Sequence, residues 1–242
     1  MYLSGENNDT VSLNIKLIRI NHKLSKMKNI IVLSISFLLA FANVNAVEKR
    51  IGVAVGYTNV EGDGTETLKD SGKKASKTVD DNTIIPSIFF ELAADNGFGL
   101  GIEHVPGTAD IGTGSRADDD EETSGGNKAS AEIDGLTSLY AIKTFDNGFF
   151  LKAGMTQTDV ITKETLNTGS TYGNKSVDGK LIGIGMHKTN DAGLFFRASA
   201  EYTTYDTITL TSGVADAVTG TRNKVDADVD TMAFKISIGK AF

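Results

Sequence analysis

TMAFKISIGKAF, residues 231–242, alternates two kinds of side chain. Met232, Phe234, Ile236, Ile238 and Phe242 occupy one parity, and Thr231, Lys235, Ser237 and Gly239 the other. A period of two is the mark of a β-strand, whose successive side chains point to opposite faces. The apolar face needs an apolar surrounding, and the mixed face needs water or a polar lumen. A strand of a transmembrane barrel meets both demands. Lys240 stands on the apolar parity and departs from the pattern.

The same alternation recurs seven times upstream. Residues 51–57 (IGVAVGY) set Ile51, Val53, Val55 and Tyr57 against Gly52, Ala54 and Gly56. Further strands are expected within 83–92, 98–105, 132–143, 149–158, 179–187 and 194–205. In the second, Pro86 removes one ladder donor and predicts a bulge or a missing hydrogen bond. In the fourth, the facing is ambiguous, and Leu136, Tyr140 and Ile142 are read as outward. The last strand closes against the first, so Ser237 and Gly239 are expected beside Gly52 and Ala54.

Three connections are tight turns at 94–97, 145–148 and 190–193, each ending in glycine, with Asn-Gly supplying residues that tolerate positive φ in the first two. The other four are long and polar, and the two kinds alternate strictly. The fold class predicted is therefore all-β, an eight-stranded antiparallel up-and-down transmembrane β-barrel. Phe90, Phe98, Phe145, Phe149, Phe195, Phe196 and Phe242 fall near the short turns, and Tyr57, Tyr202 and Tyr205 toward the long loops. That distribution predicts two interfacial girdles. A soluble lipocalin-type barrel would bury its bulky residues, whereas the face opposite them here is Gly, Ala, Ser, Lys, Glu and Arg.

The front of the chain reads differently. From Met27 it runs MKNIIVLSISFLLAFANVNA, with Lys23, Lys26 and Lys28 ahead of an apolar run over 30–42 and small residues to Ala46. This is the layout of a secretory signal peptide, and the run is too short to span a bilayer. Residues 1–46 are read as leader and cleaved signal, with Met27 the true start, and 47–242 as the barrel. Their removal takes five of the 24 basic and two of the 31 acidic residues, moving the net charge from −7 to −10. Nucleic acid is excluded as a partner, because phosphate binding needs a basic face. No run of 18 apolar residues follows, so a membrane crossing must use strands. The absence of cysteine removes disulfides, thiolate metal sites and cysteine nucleophiles.

Seven charged residues fall on the inward parity: Glu91, Glu103, Lys143, Lys152, Arg197, Glu201 and Lys235. An eight-stranded lumen is only wide enough for side chains to fill, and buried charges must pair. The seven are expected to form a salt-bridged ladder along the axis; the alternative is a narrow pore. The run 118–122 (DDDEE) reads as a solvated loop tip. Asp226, Asp228 and Asp230 alternate above the apolar band on its parity. They are the candidates for divalent cations bridging to lipopolysaccharide phosphates, although they lack the pattern of a calcium loop.

The signal peptide, IGVAVGY (51–57), FFLKAGM (149–155), LFFRASAEYTTYD (194–206) and FKISIGKAF (234–242) resemble the small eight-stranded outer-membrane barrels grouped with opacity proteins and the OmpA and OmpX transmembrane domains. The resemblance implies a non-enzymatic outer-membrane protein with extracellular long loops, both mature termini periplasmic, and adhesion or other surface contacts with host or phage proteins. It also implies that Phe234, Ile236, Ile238 and Phe242 form the signal read by the barrel-assembly machinery. Outer-membrane lipid and lipopolysaccharide are its expected partners, with no cofactor. A minor porin is the alternative. A lipid A-modifying enzyme is the third reading, since some small barrels hold His and Ser two apart on a lipid-facing strand. Here His104 is followed by Val105 and Pro106, and His187-Lys188-Thr189 sits at a short turn, so no catalytic residue is assigned.

Overall fold

A computed structural model describes residues 47–67, 72, 74–116, 127–165, 171–215 and 222–242. The predicted signal peptide and the acidic run 118–122 lie outside the described residues. Ten strands are formed: β1 (Val47–Thr67), β2 (Lys74–Ala94), β3 (Phe98–His104), β4 (Thr108–Arg116), β5 (Asn127–Thr144), β6 (Phe149–Thr165), β7 (Lys175–Thr189), β8 (Leu194–Tyr205), β9 (Ile208–Ala215) and β10 (Arg222–Ala241). Eight of them close an antiparallel ring in the order β1-β2-β3-β5-β6-β7-β8-β10, with β10 returning to β1. The seam is the expected one: Gly52 lies opposite Gly239 and Ala54 opposite Ser237. The remaining two strands are extensions, β4 pairing with β5 and β9 with β10.

The strands run well past the windows legible in the sequence. All 21 residues of β1 pair with β2, from Val47 opposite Ala94 to Thr67 opposite Lys74. That is about 70 Å of strand at roughly 3.3 Å per residue. The outward apolar stripe of β1 covers only residues 51–57, so the end beyond Val60 projects out of the apolar band. Gly, Thr, Asp and Lys there keep the backbone ladder without an apolar face, which hid β4, β9 and the strand tips inside the expected loops.

Ile51, Val53 and Val55 on β1, Ile182, Ile184 and Met186 on β7, and Phe234, Ile236 and Ile238 on β10 are all exposed on the outer wall. A continuous apolar belt of this size is hostile to water, and hydrocarbon is the surrounding that satisfies it. Phe90, Phe98, Phe145, Phe196 and Phe242 ring its short-turn end, and Tyr57 and Tyr202 the other. Two expected girdle residues are elsewhere: Phe195 is buried in the lumen and Tyr205 packs against the inner cluster of Val160, Val177 and Ile208.

The fourth strand of the ring, β5, corrects the expected facing. Tyr140 and Ile142 are 2% and 1% exposed and point inward, and Leu136 packs on inward-facing Ile85, Val105 and Ile133. The cause is a register shift between Asp134 and Thr137, where Gly135 adopts φ +64°. An extra residue in one strand switches the parity of everything beyond it. Pro86 brings no such shift against β1, where Val55 pairs with it directly; the ladder on the other side of β2 begins only at Ile88.

The three short turns share one design. Gly97, Gly148 and Gly193 donate their N–H to the carbonyls of Ala94, Phe145 and Asn190. Their φ values are +80°, +83° and +76°, and no other residue type among those described has positive φ. These are turns closed by one left-handed glycine, so asparagine serves differently than expected: Asn96 and Asn147 side-chain oxygens accept the N–H of Phe98 and Phe149.

Candidate functional site

The lumen gathers the chemistry of this chain, and it is layered along the barrel axis. Nearest the short turns, Glu91 is fully buried and receives Arg197 in a two-pronged pair, Nη1 to Oε1 at 2.7 Å and Nη2 to Oε2 at 2.9 Å. Tyr140 also donates to Glu91 Oε1, at 2.8 Å. The guanidinium lies 5.2–5.4 Å from the rings of Phe89, Phe150 and Phe195. A planar, weakly hydrated cation suits both a carboxylate fork and aromatic faces, which is why arginine fits this dry layer. His187 packs against Phe195 and bonds to Thr189 Oγ1 at 2.8 Å.

Above it four residues close a quadrangle. Lys152 Nζ is 2.8 Å from both Glu103 Oε2 and Glu201 Oε1. Lys235 Nζ is 2.6 Å from Glu103 Oε1 and 2.9 Å from Glu201 Oε2. Each charge touches two of the opposite sign, and Ser87 adds a hydrogen bond to Glu103 at 2.7 Å. The charges cancel within the layer, as burial demands. Lys152 also lies 4.0 Å over the Tyr140 ring, joining the two layers. Between them remains a cavity of about 10 Å³, on the scale of one water.

Glycine makes this filling possible. Gly52, Gly101, Gly185 and Gly239 pair directly with Phe89, Tyr140, Phe150 and Phe195 on the neighbouring strands. A Cβ at any of the four would run into that aromatic ring. Four inward rings thus lie flat on four glycines, a cross-strand pairing that covers bare backbone and fills the narrow lumen.

Beyond the quadrangle, toward the long strands, the lumen turns apolar. Ile85, Val105 and Ile133 with Leu136, and Val160, Val177 and Ile208 with Val229, form two buried clusters there, and Val60 is buried beside them. They surround a cavity of about 60 Å³ that has Glu201 and Lys235 in its lining. The inward face therefore carries small residues, charge and the four aromatic rings in the half nearer the short turns, and turns aliphatic beyond it. Most of these aliphatic residues lie outside the windows marked by the outer stripe, so that stripe carried no sign of them.

Of the seven residues expected in the ladder, the structure brings together Glu91, Glu103, Lys152, Arg197, Glu201 and Lys235. Lys143 is not among them. The bulge in β5 turns it outward, where it donates to the Asn96 carbonyl and sits 4.5 Å over the Phe98 ring. Lys240 does the same job at another turn, donating to the Ala192 carbonyl beside the Phe242 ring. Tyr140, Ser87 and the three lumen phenylalanines belong to the site and were not expected in it; Tyr140 was read as outward because of the bulge, and Phe195 as a girdle residue. His104 Nδ1 lies 3.0 Å from Thr137 Oγ1. Asp226 and Asp228 accept hydrogen bonds from Thr209 and Thr207 at 2.6 and 2.7 Å. Among the described residues no group of His, Asp or Glu is arranged to hold a metal ion. Phe234, Ile236, Ile238 and Phe242 all lie exposed on the outer wall.

No protein-family model matches the chain, and no curated protein matches it in sequence. Solved structures match in fold. The outer membrane protein OprG from Pseudomonas aeruginosa superposes with a TM-score of 0.52 at 12% identity, over 81% of this chain and 96% of that one. The outer membrane protein AlkL gives 0.47 at 10% identity, over 83% and 92%. Ail, the attachment invasion locus protein of Yersinia pestis, gives 0.39 at 13%, over 80% and 98%. The likeness is one of fold, carried by the first: an eight-stranded outer-membrane β-barrel.

Proposed function

We propose that this chain is a non-enzymatic outer-membrane barrel, closed along its axis, that presents its long hairpins to the cell exterior for surface contact or adhesion. The observation that carries this reading is the pair of charge layers. Glu91 with Arg197, and the Glu103, Lys152, Glu201 and Lys235 quadrangle, fill the cross-section of the lumen and leave room for about one water between them. An eight-stranded barrel filled in this way has no open path for solute. What it offers instead is outside the apolar belt: the β1–β2 hairpin, β4 with β5, and β9 with β10.

In this reading the short turns face the periplasm, as do Val47 and Phe242 at the same end of the wall, and the long hairpins face outward. The belt meets outer-membrane lipid, the acidic rows above it meet the lipopolysaccharide headgroup layer, and Phe234, Ile236, Ile238 and Phe242 engage the assembly machinery before insertion. The two histidines of the barrel support a role without chemistry, since His187 is held inside by Thr189 and Arg197, and His104 by Thr137.

The test is a cell-binding assay on bacteria displaying the full chain or hairpin-shortened variants. Residues 63–78 replaced by Asn-Gly keep the pairing of Gly62 with Val79. Heat-modifiable migration on gels checks that each barrel still folds. Binding that falls with hairpin shortening supports the proposal; binding untouched by shortening every long hairpin contradicts it.

A further inference from the structure

The upper lumen is built unlike the rest. Below, every inward charge is matched and every glycine covered, so space is filled. Above the quadrangle, aliphatic side chains converge from around the ring, Val60 from β1, Ile85 from β2, Ile133 from β5, Val160 from β6, Val177 from β7 and Val229 from β10, and still leave about 60 Å³ between them. Side chains lining a void lose contact atoms on one side, so an unfilled cavity of this kind costs stability. Water fits it poorly, because an ordered water needs two to four polar partners and the walls are largely aliphatic. Thr158 and Thr231 stand level with Val177 and Val60, and the other polar groups lie toward one end: Thr58, Ser138, Thr156 and Thr203, then Lys235 and Glu201 at the floor.

We propose that this chamber binds a small uncharged amphiphile, an alkyl body of a few heavy atoms carrying one hydroxyl. The body sits among the six aliphatic residues and the hydroxyl points at the threonines and the Lys235–Glu201 floor. The volume is that of roughly four to six water-sized spheres, which suits a short alkanol better than a long acyl chain. The charge quadrangle closes the way below, so the chamber is a dead end that holds its ligand without passing it on. This assignment goes beyond surface contact through the hairpins and stands independently of it.

The experiment uses the folded full chain in lipid nanodiscs with its Val and Ile methyl groups isotopically labelled, titrated with 1-butanol. Butanol also enters lipid, so the methyl groups of Val53, Val55 and Ile184 on the outer wall serve as the internal reference. The expected result is saturable shifts at Val60, Val160, Val177 and Val229 against non-saturating shifts at the reference methyls. Val177→Phe or, separately, Val229→Leu fills the chamber and should abolish the saturable shifts, with gel heat-modifiability reporting that each variant is folded. Lining shifts that merely track the outer wall, or saturable shifts that survive in both filled variants, would overturn the assignment.

Discussion

Arg197 on β8 and Glu91 on β2 meet through two parallel hydrogen bonds across the lumen, with β10 and β1 standing between their strands in the wall. The pair ties strands three places apart in the ring, in a layer where Phe89, Phe150 and Phe195 surround the guanidinium. Its energetic character follows from that enclosure, because each partner was moved out of water to meet the other.

Arg197→Met should lower unfolding free energy by about 3 kcal/mol, the lower end of the usual cost of breaking a buried pair, because Arg50 Nη1 remains 3.8 Å from Glu91 Oε2 and Tyr140 still donates to Oε1. Urea unfolding in lipid vesicles measures it. Adding Glu91→Gln to the same chain should recover part of the loss, since the carboxylate, left with only the longer contact to Arg50, is then neutral. Equal losses in the single and double variants would mean that packing of the arginine stem, not charge, dominates.

The glycine and aromatic pairs make a steric prediction. A Cβ at Gly52 would stand 2.5 Å from the Phe89 ring and 2.7 Å from the Ile238 carbonyl oxygen, and the latter belongs to backbone that cannot turn aside. Gly52→Val should destabilise by about 1–3 kcal/mol or block folding. Gly64→Val, whose Cβ meets only the Lys77 carbonyl at 3.7 Å, should fold like the parent. Gel heat-modifiability and urea midpoints separate the two.

Two lysines separate rim from lumen. Lys143→Met removes a turn-capping contact at the surface and should cost no more than about 1 kcal/mol. Lys152→Met opens the quadrangle and leaves Glu103 and Glu201 with Lys235 alone, so it should cost about 3–5 kcal/mol. Similar urea midpoints for both variants would place Lys143 back inside the lumen.

Depth in the belt is tested at Ile184, exposed mid-strand on β7 between Ile182 and Met186. Arginine there faces hydrocarbon and should cost about 2–4 kcal/mol in folding from urea into vesicles. The same change at Lys77, on the projecting end of β2, replaces one exposed cation by another and should leave stability unchanged.

How much of this was legible in the sequence depends on which side chains carried the signal. Where bulky residues face lipid the alternation is strong, and it placed β8 to the residue and brought Ser237 and Gly239 to Gly52 and Ala54 at the seam. Inward parity on those same strands then located six of the seven charged residues. The signal fails in two physical circumstances. A bulge shifts parity without any change in composition, and at Gly135 it reversed the facing of Tyr140, Ile142 and Lys143. Beyond the belt neither face is lipid-exposed, so β4, β9 and the aliphatic upper lumen leave no period-two pattern on the outside. Lys240, out of place in the stripe, proves to be a turn cap, a role that depends on a neighbouring strand and is invisible along its own.

Closure of the lumen by its charge layers is the claim on which the functional reading turns, and single-channel recording in planar bilayers meets it most directly. The purified folded chain should insert without stable unitary currents, and opening the plug with Glu91→Gln and Glu103→Gln together should raise the frequency of current events. Stable, uniform unitary conductance from the unaltered chain would contradict a closed barrel and assign this protein to the small-solute pores instead.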